Sequence, residues 1–365
     1  MGLRARAVAG TDAAWRQPML FDAPEFDAHE HVSFFADGPL RAIIAVHRTG
    51  PLGTAGGGCR IWPYPDERAA LRDALRLSRA MTYKLALVEL SAGGAKAVVI
   101  ADPNRDKSEA LLTAVGRAVD RLAGRFIVAA DVGTDAADLA TIARATMWVS
   151  REPAGADDGA EATAYGVFVG LVASVRWRLD RADLSGVKVA VQGLGRVGAA
   201  LCRRLAAAGA QLWITDLDEA RRARLARELH AVAVPPSQIL TLDVDVLAPC
   251  ALADTIDAAA LPELRCRVVA GSANNQLADP ALADELSRRG ILWAPDIAIN
   301  AGGAIGAASS VSLDEASGAP LRARLDTLGT LLTGIFERAA REHVSTLAAA
   351  ERTARERFAA MGGRL

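Results

Sequence analysis

The sequence predicts an α/β protein of two domains, an N-terminal α/β unit and a second, doubly wound one, followed by a helical C-terminal tail. Three observations support this. The chain has 365 residues, more than one hydrophobic core usually organises. Strand-like and helix-like segments alternate through both halves. In the second half an apolar strand runs directly into a complete G-x-G-x-x-G that opens a helix.

In chain order, residues 41–47 (RAIIAVH) read as a strand leading to a glycine cluster at 53–58. Residues 69–81 carry helical periodicity, with Leu71, Leu75, Ser78 and Met81 near one face. A glycine pair then precedes Lys96, and residues 97–103 (AVVIADP) form a buried strand ended by Pro103. A second helix spans 108–122, and the strand FIVAAD delivers Asp131 to its carboxyl end, where ligands of α/β sheets gather. The Pro/Gly/Asp-rich stretch 152–160 is the expected linker. It divides the chain into 1–150 and 151–330, with 331–365 a helical segment that packs back on the first domain. Helices are further expected over 162–177 and through the Ala- and Arg-rich tail at 321–358.

Composition removes several classes of partner. With 42 basic and 43 acidic residues the net charge is -1, and no basic block supplies a footprint for nucleic acid. No run approaches the roughly 18 apolar residues that cross a bilayer, and the first 20 residues lack the apolar core of a secretory signal. Four widely spaced cysteines without a C-x-x-C pair argue against a disulfide framework or structural zinc and for a reducing compartment. A cytoplasmic protein without metal, membrane or nucleic acid is expected.

The most informative stretch begins with the apolar strand at 187–191. It meets Gly193, Leu194, Gly195, Arg196, Val197 and Gly198, continues as a helix through Leu201 and Leu205, and reaches a second strand at 212–215 ending in Asp216. The first glycine permits the tight turn, the second lets a pyrophosphate approach the backbone, and the third lets helix and strand pack closely. The helix start offers unpaired N–H groups and a positive dipole end to phosphate. Asp216 stands where a carboxylate accepts hydrogen bonds from the adenosine ribose and repels a 2′-phosphate, so the reading is a Rossmann domain for NAD rather than NADP.

In the first half, Lys84 and Lys96 stand out in MTYKLALVELSAGGAKAVVI because a lysine in apolar surroundings is costly without a partner or a task. Burial and a neighbouring cation both lower an ammonium pKa, which can make lysine a general base near neutral pH. GGAK lacks the spacing of a phosphate loop. Surface lysines at a loop are the plainer alternative.

Together these pieces resemble the glutamate/leucine/phenylalanine/valine dehydrogenases, and most the leucine and phenylalanine members. The matching motifs are LGTAGGGCR ending at Arg60, MTYK ending at Lys84, GGAK ending at Lys96, ADVGT around Asp131, TAYGV from Thr163 and VQGLGRVG. VLAPCAL (246–252), AGSANNQL (270–277) and APDIAINAGG (294–303) follow in family order, so the resemblance covers roughly residues 40–305. It implies that the first domain is the substrate-binding, catalytic one. Lys84 would hold the substrate α-carboxylate, Lys96 would activate water for attack on the imino acid, and Asp131 would exchange protons with the substrate amine. Asn275 would lie near the amino-acid group, and Asn274 and Thr163 near the nicotinamide. Gly56, Gly57, Ala129, Ala304 and Ala307 would surround the substrate. The implied reaction is reversible oxidative deamination of an apolar L-amino acid, branched-chain or aromatic, by a homo-oligomer. Glutamate members place a lysine where this chain has Gly56, which disfavours glutamate. A glutamate- or malate-type dehydrogenase and a catalytically silent NAD-binding sensor or scaffold are the alternatives. His29 and His31 form an H-x-H on one face of an expected strand, but no third ligand accompanies them. His47, His230, His343 and Cys59 are read as structural.

Overall fold

The computed structural model describes residues 20–150, 159–251, 253–308 and 320–364. The expected linker at 152–160 falls outside them, its last two residues excepted.

The first unit is a five-stranded sheet of β1 (His31–Asp37), β2 (Leu40–Arg48), β3 (Ala55–Trp62), β4 (Gly93–Ile100) and β5 (Phe126–Ala130). Their spatial order is β1-β2-β4-β3-β5. β2 runs antiparallel to β1 and β4, while β3 lies parallel to both β4 and β5. Strand alternation sorts the two faces. Ala42, Ile44, Val46, Ala95, Ala97 and Val99 pack under α2 (Glu109–Asp120) and α3 (Ala136–Ile142). Ile43, Ala45 and Val98 pack under α1 (Glu67–Leu87). Asp66, Ser108 and Asp135 cap the three helix starts with side-chain oxygens, satisfying amides that would otherwise lack partners.

Residues 53–58, read as a glycine cluster between elements, lie mostly inside β3, between β4 and β5. The reason is close approach: a Cβ on Gly57 would stand 1.8 Å from the Ala95 carbonyl oxygen. Lys96 likewise lies within β4 rather than before it, and α1 continues past Met81 to Leu87, so Lys84 belongs to its last turn. His29 precedes β1 and is not on it. Its Nε2 lies 3.1 Å from both the Leu75 carbonyl oxygen and the Ser78 hydroxyl, whereas His31 pairs with Ser33 within the strand. The two rings therefore have separate, structural partners.

The second unit is a parallel six-stranded sheet of β6 (Lys188–Gln192), β7 (Gln211–Thr215), β8 (Val232–Ala233), β9 (Val246–Pro249), β10 (Val268–Val269) and β11 (Leu292–Trp293). The order β8-β7-β6-β9-β10-β11 is that of the doubly wound dinucleotide fold, with the reversal between β6 and β9. α4 (Ala160–Leu179), α5 (Arg196–Ala207), α6 (Glu219–Leu229), α7 (Leu282–Arg288), α8 (Asp296–Ile299) and α9 (Gly302–Ala308) cover it.

The tail forms two helices, α10 (Leu321–Glu342) and α11 (Thr346–Ala360), broken where His343 turns left-handed and Ser345 caps the second. α10 packs on α4 and α11 packs on α1. Tyr83, Ala86 and Leu87 at the end of α1 enter the same core as α4, α5, α10 and α11. One helix is thus built into both halves. Among the described residues no helix is long and apolar enough to cross a membrane.

Candidate active site

A cleft of about 680 Å³ opens between the two sheets. Gly56, Gly57, Lys84, Lys96 and Asp131 line it from the first unit. Thr163, Gly195, Arg196, Val197, Gly198, Asn274, Ala304 and Ala307 line it from the second. Gly193, Leu194, Asp216 and Asn275 are not part of its lining.

β3 presents Gly56, Gly58 and Arg60 on the α1 face, beside Lys96 of β4. Gly58 leaves the room the charged groups use: a Cβ there would lie 2.6 Å from Asp131 Cβ and 3.2 Å from Lys96 Nζ. Lys96 Nζ lies 2.6 Å from Asp131 Oδ2, and Arg60 Nε donates to that same oxygen at 2.9 Å. The other end of Arg60 donates to Asp73 Oδ2 at 2.9 Å, which also accepts from the Tyr64 hydroxyl. Thr134 fixes the backbone here, accepting from the Asp131 amide and donating to the Cys59 carbonyl.

Burial and the Arg60 charge lower the Lys96 ammonium pKa against the opposing pull of Asp131. Burial alone would raise the Asp131 carboxyl, yet Lys96 and Arg60 outweigh it and hold it below the usual carboxylate range. Burial also brings Lys84 down to about 8, aided by Lys96 and Arg60 and opposed by Asp296 and Asp131. Burial pushes the Cys59 thiol up to about 12, so it is no thiolate at neutral pH.

Lys84 reaches across the cleft and donates to Asn274 Oδ1 at 3.1 Å. Asn300 Nδ2 donates to that same amide oxygen at 2.9 Å. Asn274 is therefore the asparagine that meets Lys84. Asn275 adopts a left-handed backbone, φ 51°, and its buried Nδ2 has no partner among the described residues. The left-handed turn at Asn275 keeps it off the cleft wall that Asn274 lines, which residue order alone does not reveal. Thr82, two residues before Lys84, accepts from the Gly94 amide at 3.0 Å and thereby ties the last turn of α1 to β4, two residues before Lys96.

The glycine turn has the geometry of a dinucleotide site. Gly193 has φ 93°, and a Cβ on Gly198 would stand 2.0 Å from the Gly193 carbonyl oxygen, so the third glycine is needed for contact with the turn. A Cβ on Gly195 would meet nothing within 4 Å, which leaves open space before the start of α5 for a phosphate group. Asp216 accepts from the Leu194 amide at 2.6 Å and from the Asp218 amide at 2.8 Å. Thr163 donates to the Gly159 carbonyl at 2.7 Å, beside Gly303.

Arg60, Asp73, Asn300 and Asp296 had no role in the sequence reading. Arg60 carried a signal, an arginine two residues beyond glycines of a central strand. The others depend on chain crossings far apart in sequence. Among the described residues no group of three or more His, Cys, Asp or Glu side chains could hold a metal, and the four cysteines are free.

Residues 32–148 match the model of the Glu/Leu/Phe/Val dehydrogenase dimerisation domain, and residues 213–356 match that of glutamate/leucine/phenylalanine/valine dehydrogenase, beyond the 40–305 the motifs span. The chain is 41% identical over 350 residues to the leucine dehydrogenase of Bacillus cereus, covering 94% of each chain. It is 42% identical over 341 residues to the valine dehydrogenase of Streptomyces virginiae, covering 90% of this chain and 94% of that one. The crystal structure of L-tryptophan dehydrogenase from Nostoc punctiforme superposes with a TM-score of 0.74 at 41% identity, covering 94% of this chain and 100% of that one. With the lysine pair, the carboxylate and the dinucleotide turn facing one cleft, the chain belongs to the glutamate/leucine/phenylalanine/valine dehydrogenase family and is an amino-acid dehydrogenase, an oxidoreductase acting on CH–NH2 donors.

Proposed function

We propose that the protein catalyses reversible, NAD-dependent oxidative deamination of bulky apolar L-amino acids to the 2-oxo acid and ammonium. The observation that carries this reading is the placing of Lys84, Lys96 and Asp131 in one cleft opposite the Gly195–Gly198 helix start. Lys84 holds the substrate carboxylate, exchanging its Asn274 partner for it. Asp131 hydrogen-bonds the substrate amine, and its proton passes into the Lys96–Asp131 pair, so that a neutral amine stands on Cα when hydride departs. A nicotinamide bound near Thr163 supplies the hydride acceptor. Lys96, its ammonium pKa lowered by burial, then takes a proton from the water that attacks the imino carbon. The pair returns a proton to the nitrogen and takes the one on the hydroxyl as the C–N bond breaks, and the departing ammonia is protonated to ammonium.

Substrate class follows from the cleft walls. Met81, Leu85, Leu90, Ala92, Ala304 and Ala308 form one apolar cluster beside Gly56, Ala129 and Ala307. Burying a leucine-sized side chain there contributes roughly 1.5–3 kcal/mol, and a side-chain carboxylate finds no such gain. The relatives named for leucine, valine and tryptophan support apolar substrates of differing bulk. The preference for NAD rests on the Asp216 carboxylate at the end of β7. Free cysteines fit a cytoplasmic enzyme, and the dimerisation-domain match supports a homo-oligomer.

The test is NADH formation with a panel of L-amino acids and both cofactors. Turnover of leucine, valine, phenylalanine or tryptophan with negligible turnover of glutamate is expected. Replacing Asp216 by Ser is expected to relax the preference for NAD. A preference for glutamate overturns the substrate reading, and better use of NADP by the unmodified protein overturns the Asp216 assignment.

A further inference from the structure

Arg60 approaches the reacting groups through Asp131 and needs no contact with substrate. It is 9% exposed, lies on the same face of the sheet as Lys96, and bridges two carboxylates. Its Nε and the Lys96 ammonium converge on one atom, Asp131 Oδ2, at 2.9 and 2.6 Å. Two nitrogens on one oxygen restrain the rotation of the carboxyl group. The far end of Arg60 is pinned by Asp73 of α1, itself held by the Tyr64 hydroxyl. We propose that Arg60 is a positioning residue for the proton-transferring Lys96–Asp131 pair, fixing the Asp131 carboxyl group toward the substrate amine, and that Asp73 governs how strongly the guanidinium acts on that pair.

The proposal rests on the deamination chemistry assigned to Lys96 and Asp131. The electrostatics follow from the geometry. The charged groups facing the pair are Arg60 from β3, Lys84 and Asp73 from α1, and, across the cleft, Asp296 at the start of α8 acting on Lys84. Tyr64 faces Asp73, while the Cys59 thiol stays neutral on the opposite face of β3. A guanidinium beside Lys96 and Asp131 favours the deprotonated form of each, as burial favours neutral Lys96. Removing that charge raises both pKa values. Removing the Asp73 charge instead leaves the guanidinium's field uncompensated and lowers them further. A residue that merely filled space would not produce shifts of opposite sign.

The experiment compares the pH dependence of kcat/KM for deamination in the full-length wild type, Arg60→Gln, Arg60→Lys and Asp73→Asn. The acid limb reports the group that must lose its proton. It should move up by about one pH unit in Arg60→Gln and down in Asp73→Asn, with Arg60→Lys closer to the wild type. At a pH below the limb, Arg60→Gln should then be about tenfold slower relative to its own plateau than the wild type is. Asp73→Asn is nearly isosteric and keeps a hydrogen-bonding group, so it tests the idea even where Arg60→Gln fails to fold. Shifts in the same direction, or an unmoved limb with a uniformly reduced plateau, overturn the positioning role. A Lys96→Ala variant with normal deamination would instead overturn the chemistry beneath it, so the two failures are distinguishable.

Discussion

Lys84 shows how one residue takes its chemistry from its surroundings. Burial, Lys96 and Arg60 bring it down to about 8, and Asp296 and Asp131 prevent a larger fall. The sign is that of a depressed base. Below about 8 the ammonium is charged and can hold a carboxylate; above it the free protein has lost that charge. In the reductive direction, KM for the 2-oxo acid is expected to rise towards tenfold per pH unit above the limb. A KM that stays flat from roughly pH 7 to roughly pH 10 would sink the carboxylate assignment. The sequence made Lys84 and Lys96 conspicuous because lysines in apolar text need an explanation. It did not disclose that Lys84 meets Asn274 or that Arg60 meets Asp131, contacts that span 190 and 71 positions.

At the scale of elements, glycine has two different uses. In β3 and β4 it permits contact between backbones: a Cβ on Gly94 would lie 2.0 Å from the Thr82 amide nitrogen and 2.5 Å from the Ser78 carbonyl oxygen. At the start of α5 it clears a surface for a ligand, since a Cβ on Gly195 meets nothing within 4 Å. The two alanine variants should separate accordingly. Gly94→Ala must push α1 off β4 and should lower stability by about 1–3 kcal/mol or more, seen as a lower thermal midpoint. Gly195→Ala should melt with the wild type yet bind the dinucleotide at least about tenfold more weakly in a fluorescence titration. Equal midpoints for both variants, or unimpaired binding by the second, would contradict this division. Both glycine groups were visible in the sequence. Only the second was read for its purpose, because its spacing belongs to a local strand–turn–helix unit. The glycines of β3 answer to a neighbouring strand and helix that local text does not specify.

At the scale of the whole molecule, α1 couples the two sheets. Its first half packs on β2 and β4, while Tyr83, Ala86 and Leu87 belong to the core of the second unit. α11 reinforces the join: Arg355 donates to the Tyr83 hydroxyl at 3.0 Å, and Arg79 pairs with Glu351 at 3.0 Å. On the other side Arg76 pairs with Asp254 at 2.9 Å. The groups proposed for substrate and for cofactor stand on opposite walls of the cleft, so the proposed reaction requires the walls to approach and exclude water. Small-angle scattering should show compaction when NAD and a 2-oxo acid are added together. Identical profiles at saturation would count against closure, and contacts through α1 and α11 make a modest hinge motion the expected form. The sequence by itself determined the α/β class, the dinucleotide turn, the two lysines and Asp131, since periodicity, turn chemistry and the cost of a buried charge are local properties. The tertiary structure alone decided that Lys96 lies within a strand, that Asn274 and not Asn275 meets Lys84, and that Arg60 shares an oxygen with Lys96. Those facts depend on strand order and helix crossing, where residues far apart in the chain are forced together by the burial of faces that neither segment can bury alone.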